Sequence, residues 1–455
     1  IIVVGDVDVD HIEAQIKTLF ADIKVPADAA KVIPEQVSPN DTAIYVVDKD
    51  KEQQFDLFLI NMKHKAIPDE MKVNMDYLLM KYMDNALTLM LNTRFSEKAQ
   101  EPDCPYLQAV GDNGDYLMSR TCGAFTLTGL AKEGQVKEAY AAVLREAKRA
   151  HDFGFTATEY QRARDEIKSQ IEKSLANKDK MKNEQFTTQY VDHFIANEPI
   201  PSIEDESAIL QQLIPNIPVE VINMYAKKLI CNSDTNFVTL MMMQEKDGKA
   251  YPTEQQLADI VKGVRAEKLE AYVDHVKNEP LIAQLPKAGK IRKTVENKVL
   301  GYKELTLSNG AKVIMKKTDF KDNEILFSAK AKVGYSAFEK ADQSSVMLMT
   351  QALDASGLGN FTNAELEKAM AGKQASVKFT MDPFYHGLSG KSTPKDIETL
   401  MQLIYLDMTA VKKDEKSFAN LQNTYATILA NQSNNPNLVF QDSVQSTVYL
   451  GSKLA

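Results

Sequence analysis

Residues 305–317 read LTLSNGAKVIMKK, two runs of alternating side chains that are joined at Asn309 and Gly310. Asparagine and glycine tolerate the positive φ angles that a tight two-residue turn requires. The stretch therefore predicts a β-hairpin. It also marks the start of a block of strands and helices that extends to the end of the chain.

The block after the hairpin mixes strands with helices. A strand is predicted at 325–331, a helix near 345–355 and an alternating strand at 377–381. Two more helices follow, one opening at Pro394 after a threonine cap and one near Lys413. The order is two strands, a helix, two strands and a pair of helices.

An earlier block has the same order. Strands are predicted at 42–48 and 55–61, followed by a long helix, two strands, and helices that open near Gly134 and Thr156. These last two helices precede their counterparts in the later block by roughly 260 residues, which indicates an internal duplication. Each copy is typical of a mixed β-sheet with helices packed on one face, so the sequence predicts an α+β fold of tandem duplicated domains.

Three predicted helices begin with the spacing of a capping box. In this motif a hydroxyl and a carboxylate or amide, three residues apart, satisfy free main-chain amide groups at the helix start. The motif is present at Thr156 with Glu159, at Thr253 with Gln256, and at Thr362 with Glu365.

Two stretches have the composition of linkers. The first, 26–39, is polar and interrupted by prolines, and the second, 268–300, is lysine-rich and lacks an apolar period. Because Ile1–Gly5 has the pattern of a buried strand and no initiator methionine precedes it, we expect an upstream domain. The predicted segments are 1–30 as the end of that domain, 31–270 as a second domain, 271–300 as a linker, and 301–455 as a third, incomplete domain.

Composition narrows the classes of function. The 455 residues are 44% hydrophobic and 26% charged, an ordinary globular balance. The net charge is −9 with acids and bases interleaved, so we expect no nucleic-acid partner. No apolar run approaches the roughly 18 residues of a membrane span, and none is predicted.

The ionisable residues form no local catalytic or metal motif. None of the six histidines has a second histidine one helical turn away, which is the usual arrangement of a helical zinc site. Gly357 and Gly359 lack the strand-to-helix context of a nucleotide fingerprint, and the acidic pair Glu204 and Asp205 suits a solvated helix face. We therefore predict no catalytic, no cofactor-binding and no metal-binding residue in this chain, and surface or capping roles for the histidines.

Three cysteines are too few for a disulfide framework. The residues leave two states open, free thiols or a bridge between Cys104 and Cys122 in an oxidising compartment.

Four stretches together resemble the insulinase/pitrilysin family of zinc metallopeptidases, in particular its large bacterial members with four related α+β domains. They are GDVDVDHIEAQIKTLF (5–20), LNTRFSEKAQEPDCPY (91–106), FGFTATEYQRAR (153–164) and LTLSNGAKVIMKKTDFKDNEILFSAKAKVGYS (305–336). The resemblance implies LuxS/metallohydrolase-like domains. It also implies that the zinc motif, an inverted HxxEH helix with a distant glutamate, lies upstream of Ile1.

The resemblance further places the helix at 345–355 where the zinc helix stands in the catalytic domain. There Leu348, Gln351 and Ala352 take the positions of the two histidines and the general-base glutamate, so no zinc site is expected. Family members also use an arginine and a tyrosine seven residues apart to hold substrate. Tyr106 has Ala99 at that spacing, and Arg94 is interpreted as a structural residue near a helix end.

On this resemblance we expect the non-catalytic part of a zinc-dependent metalloendopeptidase, inactive alone and forming part of a chamber that encloses unfolded peptides or small proteins. A periplasmic location follows from the large bacterial relatives. The alternative is a scaffold or interaction protein derived from an inactive peptidase. An unrelated enzyme with a small-molecule pocket is a third reading, without a cofactor signature to support it.

Overall fold

The computed structural model describes residues 1–30 and 33–449, and it confirms an α+β fold with several small sheets. Fourteen α-helices lie in this part of the chain. They are α1 (Val9–Leu19), α2 (Asp69–Lys72), α3 (Met75–Ala99), α4 (Val136–Phe153), α5 (Ala157–Ala176), α6 (Asn183–Ala196), α7 (Ile203–Leu213), α8 (Val219–Leu229), α9 (Glu254–Ala266), α10 (Lys340–Ala355), α11 (Asn363–Met370), α12 (Ile397–Thr409), α13 (Glu415–Asn431) and α14 (Pro436–Val448).

The strands of the described residues form four sheets. They are β1 (Ile44–Asp50), β2 (Leu57–Lys65), β3 (Tyr106–Asp115), β4 (Cys122–Ala131), β5 (Phe237–Gln244), β6 (Ile291–Asn297), β7 (Tyr302–Leu307), β8 (Lys312–Met315), β9 (Ile325–Lys332), β10 (Gly357–Leu358), β11 (Ala375–Met381), β12 (Tyr385–Ser392) and β13 (Val411–Lys412).

The chain divides into two compact units. Unit 1 comprises Ile1–Lys168, Met181–His275 and Glu415–Ala455, and unit 2 comprises Ser169–Lys180 and Val276–Asp414. The predicted linker at 271–300 contains strand β6. The predicted domain boundaries stay a proposal.

Unit 1 is built on a mixed five-stranded sheet in the order β1-β5-β2-β4-β3. Strands β1 and β5 are parallel, and the other pairs are antiparallel. Side chains alternate between the two faces of a strand, and one face carries fully buried residues such as Phe58, Ile60, Phe125 and Leu127. Helices α3, α4 and α9 pack on this sheet. Full burial of each large apolar side chain contributes about 1.5–3 kcal/mol, so this face is the main core of unit 1.

Unit 2 has three smaller sheets. Strands β9, β12 and β11 form an antiparallel sheet, β6, β7 and β8 form a second one, and β10 pairs with β13. Its core is the cluster Leu281, Leu358, Phe361, Leu403 and Leu406.

Most local predictions are confirmed. The hairpin joins β7 to β8, with Gly310 at a φ of +89°. Glu159 accepts a hydrogen bond from the main-chain N–H of Thr156, and Glu365 does the same for Thr362. The helices at Val136 and Ala157 recur at Ile397 and Glu415, which matches the predicted offset.

Two local predictions are wrong. Ile1–Gly5 is not a strand, and Ile1 is 76% exposed, because an apolar run forms a strand only where a neighbour supplies hydrogen bonds. The helix predicted at Pro394 begins at Ile397, because the Thr393 hydroxyl and Asp396 form a turn first.

Candidate functional site

Helix α10 carries no metal ligand at the three positions compared with a zinc helix. Leucine and alanine side chains have no lone pair, and the amide of Gln351 is a poor base. Across residues 1–30 and 33–449, no three His, Cys, Asp or Glu side chains converge into a group that could hold a metal ion. The residues at these three positions of α10 do not fit zinc.

One acidic side chain near α10 has an altered pKa without forming a site. Burial, and secondarily the charge of Asp354, raise the pKa of Asp407. Asp354 is itself paired with Lys378, whose Nζ lies 3.0 Å from Oδ2. Both residues lie in unit 2, and among the described residues they join no group of three side chains that could hold a metal ion.

Several histidines are tied to local main-chain or acidic groups. The Nδ1 atoms of His193 and His386 lie 2.7 Å from the carbonyl oxygens of Glu198 and Val333, and His151 pairs with Asp152. Such contacts orient an imidazole within its own segment.

Arg94 occupies a buried position inside α3 and has no access to a substrate. Its Nε and Nη2 donate to the two carboxylate oxygens of Glu159 at 2.6 and 2.9 Å. Nη1 donates to Glu146 at 3.3 Å, and Nη2 also donates to the Gly154 carbonyl at 3.0 Å. Burial alone lowers the pKa of Arg94, but the two glutamates more than offset this and raise it.

The guanidinium of Arg94 is also covered by two rings. Its central carbon lies 4.6 Å from the ring centre of Phe155 and 4.3 Å from that of Tyr272. Tyr272 belongs to an extended segment, 267–274, that three arginines hold against the helices of unit 1. Arg145 binds both oxygens of Glu267, Arg149 binds the Glu270 carbonyl, and Arg162 binds both oxygens of Asp274.

The two edges of the unit 1 sheet differ in their main-chain hydrogen bonding. At the β3 edge, the Asn92 side chain accepts from the N–H of Gly111 at 2.6 Å and donates to its carbonyl at 3.1 Å. This contact satisfies the outward main-chain groups of Gly111, as a neighbouring strand would at that position. At the opposite edge, β1 pairs with β5 on one side, and no strand of the described residues pairs with its other side. Sequence reasoning missed Asn92, because a single asparagine in a helix carries no sign of its distant partner.

The face of this sheet opposite the helices is only partly covered. One row of aligned residues runs across all five strands and consists of Val46, Leu240, Leu59, Thr128 and Val110. Within the described chain, Val46 remains 42% exposed. The row combines apolar side chains with a hydroxyl, beside the free edge of β1.

The cysteines are free thiols, and burial raises the pKa of Cys104 and of Cys122. Cys231 and His151 lie in the lining of a small cleft that encloses about 20 Å³. That volume holds roughly one water molecule, far less than a small-molecule substrate needs. No helix in the described part of the chain combines the length and apolarity of a membrane span.

Residues 1–167 match a family model described as the Peptidase M16 inactive domain. A zinc protease PQQL-like of Arabidopsis thaliana is 26% identical over 65% of this chain and 28% of its own length. The probable zinc protease PqqL of Escherichia coli strain K12 is 23% identical over 98% of this chain and 47% of its own length. The chain thus spans less than half of the curated relatives it matches.

Among solved structures, the ferredoxin protease FusC in complex with Arabidopsis ferredoxin has a TM-score of 0.58 and 16% identity, over 98% of this chain and 49% of that chain. At this identity the likeness shows the fold alone. The structure of PqqL from Escherichia coli is described as that of a periplasmic protease.

Residues 1–167 are thus similar to the inactive domain of M16 peptidases. Two curated zinc proteases are similar to larger parts of the chain, so the resemblance to the insulinase/pitrilysin family that the four sequence stretches predicted is confirmed. The match to an inactive domain is consistent with the expectation that this part of the chain holds no zinc.

Proposed function

We propose that this chain is the non-catalytic part of a zinc-dependent metalloendopeptidase and forms part of the wall of a peptide-enclosing chamber. The observation that carries the proposal is the free edge of β1 beside the partly exposed row of residues around Val46 and Leu240. An extended peptide can add a strand to such an edge, so that main-chain hydrogen bonds give affinity without specialised side chains.

The asymmetry between the two sheet edges supports this assignment. Asn92 occupies the main-chain groups of Gly111 on β3, whereas Ile44 and Val46 on β1 are each 42% exposed. Proteins normally protect a long free edge against uncontrolled pairing. A free edge next to half-exposed apolar side chains therefore favours a surface that receives an extended chain.

Catalysis is assigned to a part of the protease outside this chain. On the family resemblance, helix α10 takes the place of the zinc helix and has leucine, glutamine and alanine at the three required positions, so we infer that zinc and its activated water need another domain. The substrates proposed are unfolded peptides or small proteins.

Peptide binding can be tested directly with this chain. A fluorescein-labelled unfolded peptide with alternating apolar residues should bind, and Val46→Glu should weaken binding by roughly tenfold, because it places a charge at the edge of the apolar row. Val295→Glu is the matched control, since Val295 lies on strand β6 of unit 2 and is also 42% exposed. Unchanged binding by Val46→Glu, or an equal loss in the control, would contradict the assignment.

The role in proteolysis needs the longer protein. The chain alone should cleave no peptide, whereas a protein that also carries an HxxEH domain should show cleavage that a zinc chelator abolishes. If the longer protein binds peptides but cleaves none, the scaffold function replaces the peptidase function.

A periplasmic location is part of the proposal, by analogy with PqqL of Escherichia coli. Cell fractionation of the source organism should recover the protein with periplasmic markers. Recovery with cytoplasmic markers would reject this part of the proposal.

A further inference from the structure

The main-chain groups of β1 point alternately toward β5 and toward the free edge. The carbonyl of Asp50 accepts a hydrogen bond from the N–H of Glu245 at 2.9 Å, just past the end of β5, so Asp50 faces the paired side. Successive residues of a strand direct their main-chain groups to opposite sides. The N–H and carbonyl groups of Tyr45, Val47 and Lys49 therefore face the free edge.

Two of these three residues have both outward groups available. The N–H of Lys49 donates to the neighbouring carboxylate of Asp48 at 2.8 Å. Among the residues that the structure describes, none forms a hydrogen bond with the outward N–H or carbonyl of Tyr45 or Val47. The free edge thus offers two donors and two acceptors, at two positions that are separated by one residue.

An antiparallel strand can use this pattern in full. In an antiparallel pair, a residue whose main-chain groups face the partner exchanges both hydrogen bonds with the one residue opposite. The residues in between form non-hydrogen-bonded pairs, whose side chains lie closer together. On β1 these closer positions belong to Ile44, Val46 and Asp48, so an antiparallel peptide would contact these three side chains most directly.

The three side chains differ in chemistry along the strand. Ile44 and Val46 are each 42% exposed, and Asp48 is exposed as well. Asp48 forms no ion pair with a described residue, since the adjacent Lys49 points to the other face and its Nζ lies 3.6 Å from Glu245. The open face beside the free edge therefore presents two apolar side chains followed by one negative charge without a cationic partner.

We infer that the free edge of β1 selects extended peptides with a cationic residue followed, two and four positions later, by apolar residues, and binds them antiparallel to β1. The cationic side chain lies opposite Asp48, and the apolar side chains lie opposite Val46 and Ile44. The two residues in between exchange main-chain hydrogen bonds with Val47 and Tyr45. This inference rests on the proposed peptide-binding function and adds the direction, the register and the charge preference of the bound chain.

The first test compares three fluorescein-labelled peptides by their anisotropy with the full chain. Their central sequences are Lys-Thr-Val-Thr-Val, the same with glutamate in place of lysine, and the reversed order Val-Thr-Val-Thr-Lys. Opposite charges directly across a strand pair attract and like charges repel, so the first peptide should bind roughly fivefold more tightly than the second. It should also bind more tightly than the reversed peptide, which suits a parallel arrangement instead.

Variants of Asp48 test the charge contact from the side of the protein. Asp48→Asn retains an oxygen that can accept from the N–H of Lys49 but removes the charge, so the lysine and glutamate peptides should bind equally. Asp48→Lys should reverse the preference. The matched control is Asp322→Lys, which makes the same change at an exposed aspartate in a turn of unit 2 and should leave the preference unaltered.

Methylated peptides test the register without any change to the protein. N-methylation of both threonines in the lysine peptide removes the N–H groups that face β1, and it should weaken binding by more than about tenfold. N-methylation of the central valine, opposite Val46, alters an N–H that faces away from β1. Binding of that peptide should change by less than about twofold.

The outcomes separate this inference from the function on which it rests. Equal affinity for the lysine and glutamate peptides, or tighter binding of the reversed peptide, would overturn the inference while peptide binding at the edge still held. Equal loss of affinity from the two kinds of methylation would reject the antiparallel register. Absence of binding by all three peptides would overturn the proposed peptide-binding function together with the inference.

Discussion

Arg94 and Glu159 lie 65 residues apart in the sequence and form a two-pronged ion pair in the core, with side chains only 1% and 4% exposed. Removal of one partner leaves the other charge buried without compensation. Arg94→Ala should lower the free energy of unfolding by about 3–5 kcal/mol. Urea denaturation followed by circular dichroism measures this loss.

The matched control for that variant is Arg145→Ala. Arg145 also binds both oxygens of a glutamate, Glu267, but the two side chains are 42% and 34% exposed. Solvent screens such a pair, and its loss should cost no more than about 1 kcal/mol. A similar loss in the free energy of unfolding in both variants would show that burial does not strengthen the Arg94–Glu159 ion pair.

Gly154 lies at the end of α4 with a φ of +72°, and an added Cβ would come within 2.5 Å of the Asn223 side chain. Asn223 cannot retreat easily, because it bonds both the N–H and the carbonyl of Phe155. Gly154→Ala should destabilise the protein by about 2–5 kcal/mol, through backbone strain and overpacking together.

Gly134 separates these two causes. Its φ is +73°, but an added Cβ would meet nothing within 4 Å. Gly134→Ala should therefore cost only the backbone strain, about 1–2 kcal/mol. Chemical denaturation of both variants measures the difference. An equal loss in the free energy of unfolding would show that the close contact with Asn223 does not destabilise Gly154→Ala.

Asn92 forms hydrogen bonds with both outward main-chain groups of Gly111 at one edge of the sheet. Asn92→Ala should cost about 1–2 kcal/mol, because two hydrogen bonds are lost at a buried backbone position. Asn85→Ala is the control, since Asn85 is an exposed asparagine on the same helix. Asn85→Ala should have a higher free energy of unfolding than Asn92→Ala. The reverse order would contradict a stabilising contact between Asn92 and Gly111.

The Glu198 carboxylate links the end of α6 to α3 and predicts sensitivity to acid. Burial raises its pKa, but hydrogen bonds from Lys81 and Tyr77 and the charge of Lys72 bring the pKa below the ordinary value. A lowered pKa in the folded state contributes stability above the ordinary carboxyl range, and this stability is lost as pH falls through the lower value.

Glu198→Gln should therefore destabilise the protein at pH 6 and have progressively less effect toward pH 3. Urea midpoints across this range measure the change. Glu279→Gln alters an exposed glutamate in a loop and provides the baseline. An effect of Glu198→Gln that grows on acidification would reverse the sign and refute the prediction.

Local chemistry explains how much of the fold could be predicted. The turn at Gly310, the capping residues Thr156 and Thr362, and the repeated helix order each depend on residues that are near in sequence, so pattern and propensity are sufficient. The four stretches that resemble the insulinase/pitrilysin family also allowed the class of protein to be predicted. The apolar run at Ile1–Gly5 failed as a strand, because a strand requires a partner that its own residues do not specify.

The surface that carries our proposals, and the hydrogen bonds between distant residues, depended on tertiary structure. Nothing near Asn92 indicates that it closes the sheet at Gly111, and nothing near His64 indicates Asn113, 49 residues away, or the Asp84 carboxylate beyond it. Hydrogen bonds act over about 3 Å, so distant residues interact only after the chain has folded. The sequence could therefore specify the architecture and the lack of a zinc motif, whereas the contact of Asn92 with Gly111, the free edge of β1 and the hydrogen bonds between His64 and Asn113 and from Asn113 to Asp84 arise from how the elements pack.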